Sequence, residues 1–286
     1  MRTRYTKYHE KIKRLIDADN MGNFTFFSDE SFANFARYFI SRINNEEEFC
    51  LYRYSPLERY SREKKEFVFS LDLESIYCSS NGSLNDIFEG LPYSEYDIHS
   101  IEECLEKLSK IAYLKCFTED YKNNLMWAHY ADCYRGVCIQ YDVKRIKDIE
   151  MFNSIFPVSY TKKREFYASV DSLVDYFSGE KELKATEDTK GIFLQKSEHW
   201  KYEKEWRLCF MNTDCCEESY IIQPFDCVSA VYLGPRISKT HKEKVLSVIK
   251  EYNKNHNRNI LAYKMFLEEN TFNLKEKLID IYKEEN

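Results

Sequence analysis

The stretch from Ser197 to Phe210, SEHWKYEKEWRLCF, sets Glu203 and Glu205 one residue apart beside Arg207, with a histidine and two tryptophans close by. Read as a strand, its alternation puts Trp200, Tyr202, Trp206, Leu208 and Phe210 on one face, with Lys204 the one polar intruder, and Glu203, Glu205 and Arg207 on the other. Two carboxylates on one strand face can divide acid–base labour, one stabilising a developing cation and the other moving a proton. The same pattern also describes a half-exposed strand carrying a surface Glu–Arg pair of little energetic worth.

Partners elsewhere in the chain decide between these readings. In FCLYRYS, Arg53 shares a strand face with Phe49 and Leu51, so its guanidinium follows an apolar side and needs an anion, either a protein carboxylate or a ligand diphosphate. In IYCSSNGSLNDIFEG a strand ends in Ser79 and Ser80, hydroxyls able to orient a carboxylate, hold a ribose or cap a turn. Asn81-Gly82 then marks a turn before Asn85 and Asp86. In NNLMWAHYADCYRGVCIQYD, helical spacing groups Leu125, Met126, His129 and Tyr130, Gly136 fits a helix stop, and Val137, Ile139 and Tyr141 open a strand. His129 could serve as a base, a ligand contact or a hydrogen-bonded structural imidazole.

These residues require a scaffold of short strands and intervening helices. FCLYRYS, FVFSLDLESIYCSS, RGVCIQYD, EWRLCF and AVYLG are rich in β-formers, and helices are expected over roughly 99–112, around NNLMWAHYADCY, over 168–186 and in ISKTHKEKVLSVIKEYNKN. Ser28 caps a further helical pattern through Phe32, Phe35, Tyr38, Phe39 and Ile43, which makes 1–48 an N-terminal helical extension to a domain over 49–286. The fold class is α+β, built on a mixed β-sheet, continuous or split, flanked by helices. The polar segment 184–191 reads as a mobile loop.

Composition narrows the chemistry. The 286 residues carry 23 Tyr and 20 Phe against 7 Gly and 5 Pro, an ordered globular composition. No apolar run reaches membrane-spanning length and the start MRTRYTKYHEKIKRLID lacks a secretory apolar segment, so the expected location is the cytoplasm, away from membranes. Ten cysteines without zinc-ligand spacing, Cys215 and Cys216 adjacent among them, read as reduced thiols, and no structural metal is expected. A net charge of −6 gives no global nucleic-acid footprint. Serine-hydrolase elbow, Walker A, Rossmann and HExxH motifs are all lacking.

Four pieces of the sequence, LYRY, IYCSSNGSLNDIFEG, MWAHYADCYRGVCIQYD and WKYEKEWRL followed by VYLGPRIS, together resemble a bacterial family described as a domain of unknown function, found in many genomes and often near mobile elements. The resemblance covers roughly 49–265; where many members carry a proline after the Asn-Asp pair, this chain has Ile87. The order Arg53, then Ser79 or Ser80, then Glu203-x-Glu205 also resembles the arginine-serine-glutamate class of ADP-ribosyltransferases, although its Ser-Thr-Ser pattern here reads Cys78-Ser79-Ser80. That resemblance implies a split mixed sheet and NAD as substrate, with no glycine-rich loop. Catalytic roles fall to Glu205 at the nicotinamide ribose, Glu203 at the acceptor, and Ser79 or Ser80 as the group orienting the glutamate. Binding roles fall to Arg53 with its neighbour Tyr52, Asn85, Asp86, His129, Tyr130 and Arg207. The acceptor is a macromolecule, and the family's genomic company implies a toxin or phage-defence effector with an antitoxin or defence-system partner. Two other classes fit the residues: a non-catalytic nucleotide- or nucleic-acid-sensing module acting through Arg53, Arg207 and neighbouring lysines, and a metal-independent nuclease built on His129.

Overall fold

The computed structural model of the chain describes residues 49–61, 63–80, 86, 88–89, 112–146, 155–163, 193–211 and 220–283. The expected extension over 1–48, most of the helices expected over 99–112 and 168–186, the loop 184–191, Asn85 and the pair Cys215–Cys216 lie outside those residues. In chain order the elements begin with β1 (Cys50–Ser55), β2 (Glu58–Ser61), β3 (Glu66–Phe69), β4 (Ser75–Ser80), β5 (Ala112–Thr118), α1 (Asn124–Tyr130) and β6 (Val137–Asp142). They continue with β7 (Ile155–Pro157), β8 (Ser159–Thr161), β9 (Gln195–Ser197), a 3-10 helix (Glu198–Glu203), β10 (Glu205–Met211), β11 (Tyr220–Pro224), β12 (Val228–Leu233), α2 (Lys239–His256), β13 (Leu261–Leu267) and β14 (Leu274–Ile279). The class is α+β, rich in strands that pair both parallel and antiparallel, with few helices.

The chain divides into two compact units. One comprises Cys50–Ile76, Phe117–Ile146 and Gln223–Asn286. Here β6 pairs antiparallel with β1 and β12, β12 runs parallel to β13, and β13 pairs antiparallel with β14. Val137, Cys138, Ile139, Tyr141 and Asp142 of β6 are all buried, as befits a strand covered on both faces. Rings of Phe117, Tyr141 and Phe225 lie 5.3 to 5.8 Å apart and fill the core. Helix α2 lays Val245, Ile249, Tyr252 and Asn253 against the unit, a stripe at helical period, between a Ser238 cap and a left-handed Asn257 stop.

Helix α1 starts where the Asn123 side chain accepts from the Leu125 and Met126 amides. Its buried residues are Met126 and Trp127, not the expected Leu125–Met126–His129–Tyr130 face; Leu125 and His129 are exposed. Nor does Gly136 stop the helix. After Ala131 the backbone turns through three consecutive left-handed residues, Asp132, Cys133 and Tyr134 (φ 46°, 49° and 71°). Gly136 has a different duty, since a Cβ there would lie 2.2 Å from the Ser55 carbonyl oxygen. Because that neighbour is backbone, no side-chain rotation relieves the clash. Gly136→Ala is expected to cost roughly 1–3 kcal/mol, the range of overpacked cores, and an unchanged denaturation midpoint would contradict the tight approach.

The other unit comprises Met1–Phe49, Tyr77–Cys116 and Lys147–Ile222. Within it β4 pairs with β5 (Ser79 opposite Leu114, Ser80 opposite Tyr113), β10 pairs with β5 and β7, and β8 runs parallel to β9. Ala112, expected on a helical face, is the first residue of β5. Trp206 is fully buried with its ring 5.3 Å from that of Phe49. Among the described residues no helix is long and apolar enough to cross a membrane.

Candidate functional site

The opening stretch is not one strand. Ser197 caps a 3-10 helix through Glu203, Lys204 takes a left-handed conformation (φ 45°), and only then does β10 begin at Glu205. Glu203 and Glu205 therefore do not share a strand face; the tight turn between them brings both carboxylates to one cation. The strand is buried on both sides from Glu205 to Cys209, so the reading of a half-exposed surface pair is also corrected.

That cation is Lys196 on β9. Its Nζ lies 2.6 Å from Glu203 Oε2, 2.8 Å from Glu89 Oε1 and 3.0 Å from Glu205 Oε2. Arg207, with no exposed surface, grips Glu205 bidentately, Nε donating to Oε1 at 2.7 Å and a terminal nitrogen to Oε2 at 3.0 Å. The same terminal nitrogen donates to Glu89 Oε1 at 2.9 Å, and the other to the Phe193 carbonyl at 2.6 Å. The Glu205 amide donates to the Tyr160 hydroxyl at 2.8 Å.

Each group carries the mark of this neighbourhood. Burial alone would raise the Glu205 pKa, but Arg207, by charge and hydrogen bond, and then Lys196 outweigh it and lower the carboxyl from 4.5 to about 2. Burial would likewise discharge Lys196, yet Glu205, Glu89 and Glu203 hold its ammonium firmly protonated. Burial, followed by the charge of Glu205, pushes the Cys116 thiol up. Among the described residues, three buried carboxylates face two buried cations, an excess of one carboxylate.

The excess has an address. Glu89 Oε1 receives both cations, while Glu89 Oε2 is buried without a hydrogen-bond partner among the described residues. Glu89 lines a pocket of about 190 Å³, together with Asp86, Lys162, Lys163, Gln195 and Lys196. Glu203, Glu205 and Arg207 do not line it. An unmet acceptor in a concave polar site is an opening for a ligand donor.

The other expected site residues distribute as follows. Asp86 lies at the pocket, its carboxylate accepting from the Phe88 amide at 3.0 Å. Ser79 and Ser80 end β4 as expected, and Ser79 is not in the pocket lining. Tyr52, Arg53, His129 and Tyr130 belong to the other unit. Arg53 sits beside the Tyr141 hydroxyl, the Tyr52 ring lies tilted 5.0 Å from that of Tyr121, and the exposed His129 lies edge-on to Tyr130 at 6.2 Å. Two residues central to the arrangement were not singled out from sequence. Glu89 is the penultimate residue of IYCSSNGSLNDIFEG, and Lys196 immediately precedes Ser197 of SEHWKYEKEWRLCF. A lysine next to a block with paired glutamates was the available signal.

Residues 126–208 match a family described as a protein of unknown function (DUF2971). The matched stretch runs from α1 into β10 and so contains His129, Lys196, Glu203, Glu205 and Arg207, while Arg53, Ser79 and Glu89 precede it. Neither a curated protein nor a solved structure matches the chain.

Proposed function

We propose that the chain is a mono-ADP-ribosyltransferase-like enzyme that takes NAD as substrate and modifies a macromolecular acceptor, with roles among its glutamates redistributed. Glu89 presents the reacting-site carboxylate oxygen, and Glu205 and Glu203 act through Lys196 and Arg207 to hold it. The observation that carries this reading is Glu89, a residue of the pocket lining whose Oε2 is buried with no hydrogen-bond partner among the described residues while its sister oxygen is pinned by two cations.

The chemistry follows from that geometry. As the bond from ribose C1′ to nicotinamide breaks, nicotinamide leaves with the bonding pair and the sugar becomes oxocarbenium-like. A fixed, poorly hydrated carboxylate oxygen stabilises that charge where it develops, and its orientation is set before the reaction begins. The acceptor nucleophile then bonds C1′ and gives up its proton, to Asp86 at the pocket or to solvent. A pocket of about 190 Å³ is smaller than the roughly 300–1,000 Å³ that enclose a whole drug-sized ligand, so it admits one end of the dinucleotide. The genomic company of the family that the motifs resemble suggests toxin or phage-defence biology for such an activity, with an antitoxin or defence-system partner.

Incubation of the protein with NAD labelled in the adenylate moiety and with cell lysate tests the reading. Free nicotinamide and labelled macromolecule are expected together. Intact NAD after prolonged incubation, at protein concentrations where NAD binding is demonstrated, would overturn it. Of the other two classes, sensing through Arg207 is disfavoured by the complete burial of that side chain. A nuclease centred on His129 is disfavoured because no ion pair among the described residues joins its imidazole to a carboxylate.

A further inference from the structure

We infer that the Glu89 pocket is a subsite for a phosphorylated pentose, taking the sugar hydroxyls at Glu89 and the phosphate at Lys162 and Lys163. The inference rests on the reading above for its place in a reaction, and goes beyond it in naming a free ligand class and the two lysines that select it.

The pocket lining carries both charges. Glu89 offers a buried acceptor, Oε2, that no donor among the described residues meets, on a carboxylate paired with Lys196. Lys162 and Lys163, adjacent in sequence just past β8 and both exposed, line the same space. A ligand that satisfies both must carry a hydrogen-bond donor and an anion in one compact frame. Thr161, Gln195 and Ser197, also in the lining, supply neutral donors and acceptors of the kind that meet further hydroxyls.

Size and charge narrow the class. A cavity of about 150 Å³ accommodates a benzene-sized ring, so about 190 Å³ admits a sugar ring with one charged substituent and cannot enclose a whole dinucleotide. A phosphate monoester carries close to two negative charges at neutral pH, matching two ammonium groups. An amino acid with a neutral side chain offers one carboxylate and leaves a lysine unmatched, and glutamate brings a second carboxylate but no hydroxyls for Thr161, Gln195 and Ser197. A free phosphate is too short to reach Glu89 with a hydroxyl while its oxygens meet both lysines, and an unphosphorylated pentose lacks the anion.

Calorimetric titration of the full chain with ribose 5-phosphate, ribose, inorganic phosphate and glutamate tests the inference. Ribose 5-phosphate is expected to bind at least tenfold more tightly than any of the other three. Glu89→Gln, which turns an amide donor toward the ligand's hydroxyls, and Lys162→Ala with Lys163→Ala, which alters only exposed side chains, are each expected to weaken it at least tenfold. Retained binding in the folded lysine variant would overturn the subsite. So would absence of ribose 5-phosphate binding to the unaltered chain, or tighter binding of glutamate. The two readings fail separately: if ribose 5-phosphate binds and NAD stays intact, the transferase reading falls and the subsite stands. If NAD is cleaved without ribose 5-phosphate binding, the reverse holds.

Discussion

Lys196→Met should unfold the unit that contains it, or bring it close to unfolding. The ammonium is the common partner of Glu89, Glu203 and Glu205 at 2.6 to 3.0 Å, all of them buried. Removing it takes from Glu89, Glu203 and Glu205 the one ammonium that all three share, and leaves Arg207 in contact with Glu89 and Glu205. Breaking a single buried pair by deleting one partner costs about 3–5 kcal/mol, because the stranded charge is neither hydrated nor compensated. Here the stranded charge is shared among three groups, so the loss should reach the top of that range, a large part of the 5–15 kcal/mol typical of a folded domain. Urea unfolding followed by Trp200 and Trp206, which belong to this unit, would show the midpoint fall. A midpoint within error of the parent protein would mean that the lysine is not buried among the carboxylates. Lys196→Met combined with Glu203→Gln should recover part of the loss, since it removes one of the three stranded charges.

Glu205→Gln is the second large effect, and it has two signatures. Both Glu205 oxygens receive cationic donors, Oε1 from Arg207 and Oε2 from Arg207 and Lys196. Whichever way a glutamine is turned, its amide nitrogen meets a guanidinium or an ammonium, so a loss of roughly 3–5 kcal/mol is expected despite the conserved shape. The second signature is in acid. The folded carboxyl titrates near 2 against 4.5 when unperturbed. A depressed folded pKa contributes stability that is complete above pH 4.5 and is lost as pH falls toward 2, where the folded group also takes up a proton. The parent protein should therefore lose stability steeply across that window. Glu205→Gln, already lacking the charge, should show a shallower acid limb. Equal slopes for the two proteins would contradict the assignment.

The parts of the fold legible in the sequence were those whose local pattern and tertiary burial agree. Strands β1, β6 and β12 were readable because their β-formers are buried where the alternation or apolar run says they should be, and α2 because its apolar period runs unbroken from Val245 to Tyr252 between two caps. Strand β5 was missed because AYLKCFT follows a helical pattern and carries a lysine, which the fold buries by letting Lys115 donate to the Tyr77 carbonyl. Strands β13 and β14 are interrupted by Lys264, Lys275 and Lys277, charges suited to a strand at the end of a sheet and misleading in a pattern search.

The site divides in the same way. Paired glutamates and a neighbouring arginine were identifiable as a charged cluster, and a buried network was a foreseeable alternative to a surface pair. Periodicity, however, assigned Glu203 and Glu205 to one strand face, and nothing local announced that Lys204 would adopt a left-handed conformation and end a 3-10 turn between them. Glu89 was hidden for a different reason. Its importance lies in one oxygen with no hydrogen-bond partner among the described residues, a property set by how Lys196 and Arg207 meet its sister oxygen and one that no linear motif encodes.

That oxygen is the centre of the account, and Glu89→Gln tests it most directly. The amide oxygen can still accept from Lys196 and Arg207, and the amide nitrogen takes the place of the unpaired Oε2. The substitution also removes the cluster's excess negative charge. Unlike Glu205→Gln, it should leave the unfolding midpoint unchanged or slightly raised. The decisive measurement is nicotinamide release from NAD by Glu89→Gln and the parent protein side by side, with the unfolding midpoint of each recorded. The account predicts a fall of at least a hundredfold in release, the scale of losing one preorganised electrostatic group, with folding intact. Release at the parent rate from a folded Glu89→Gln protein would contradict it.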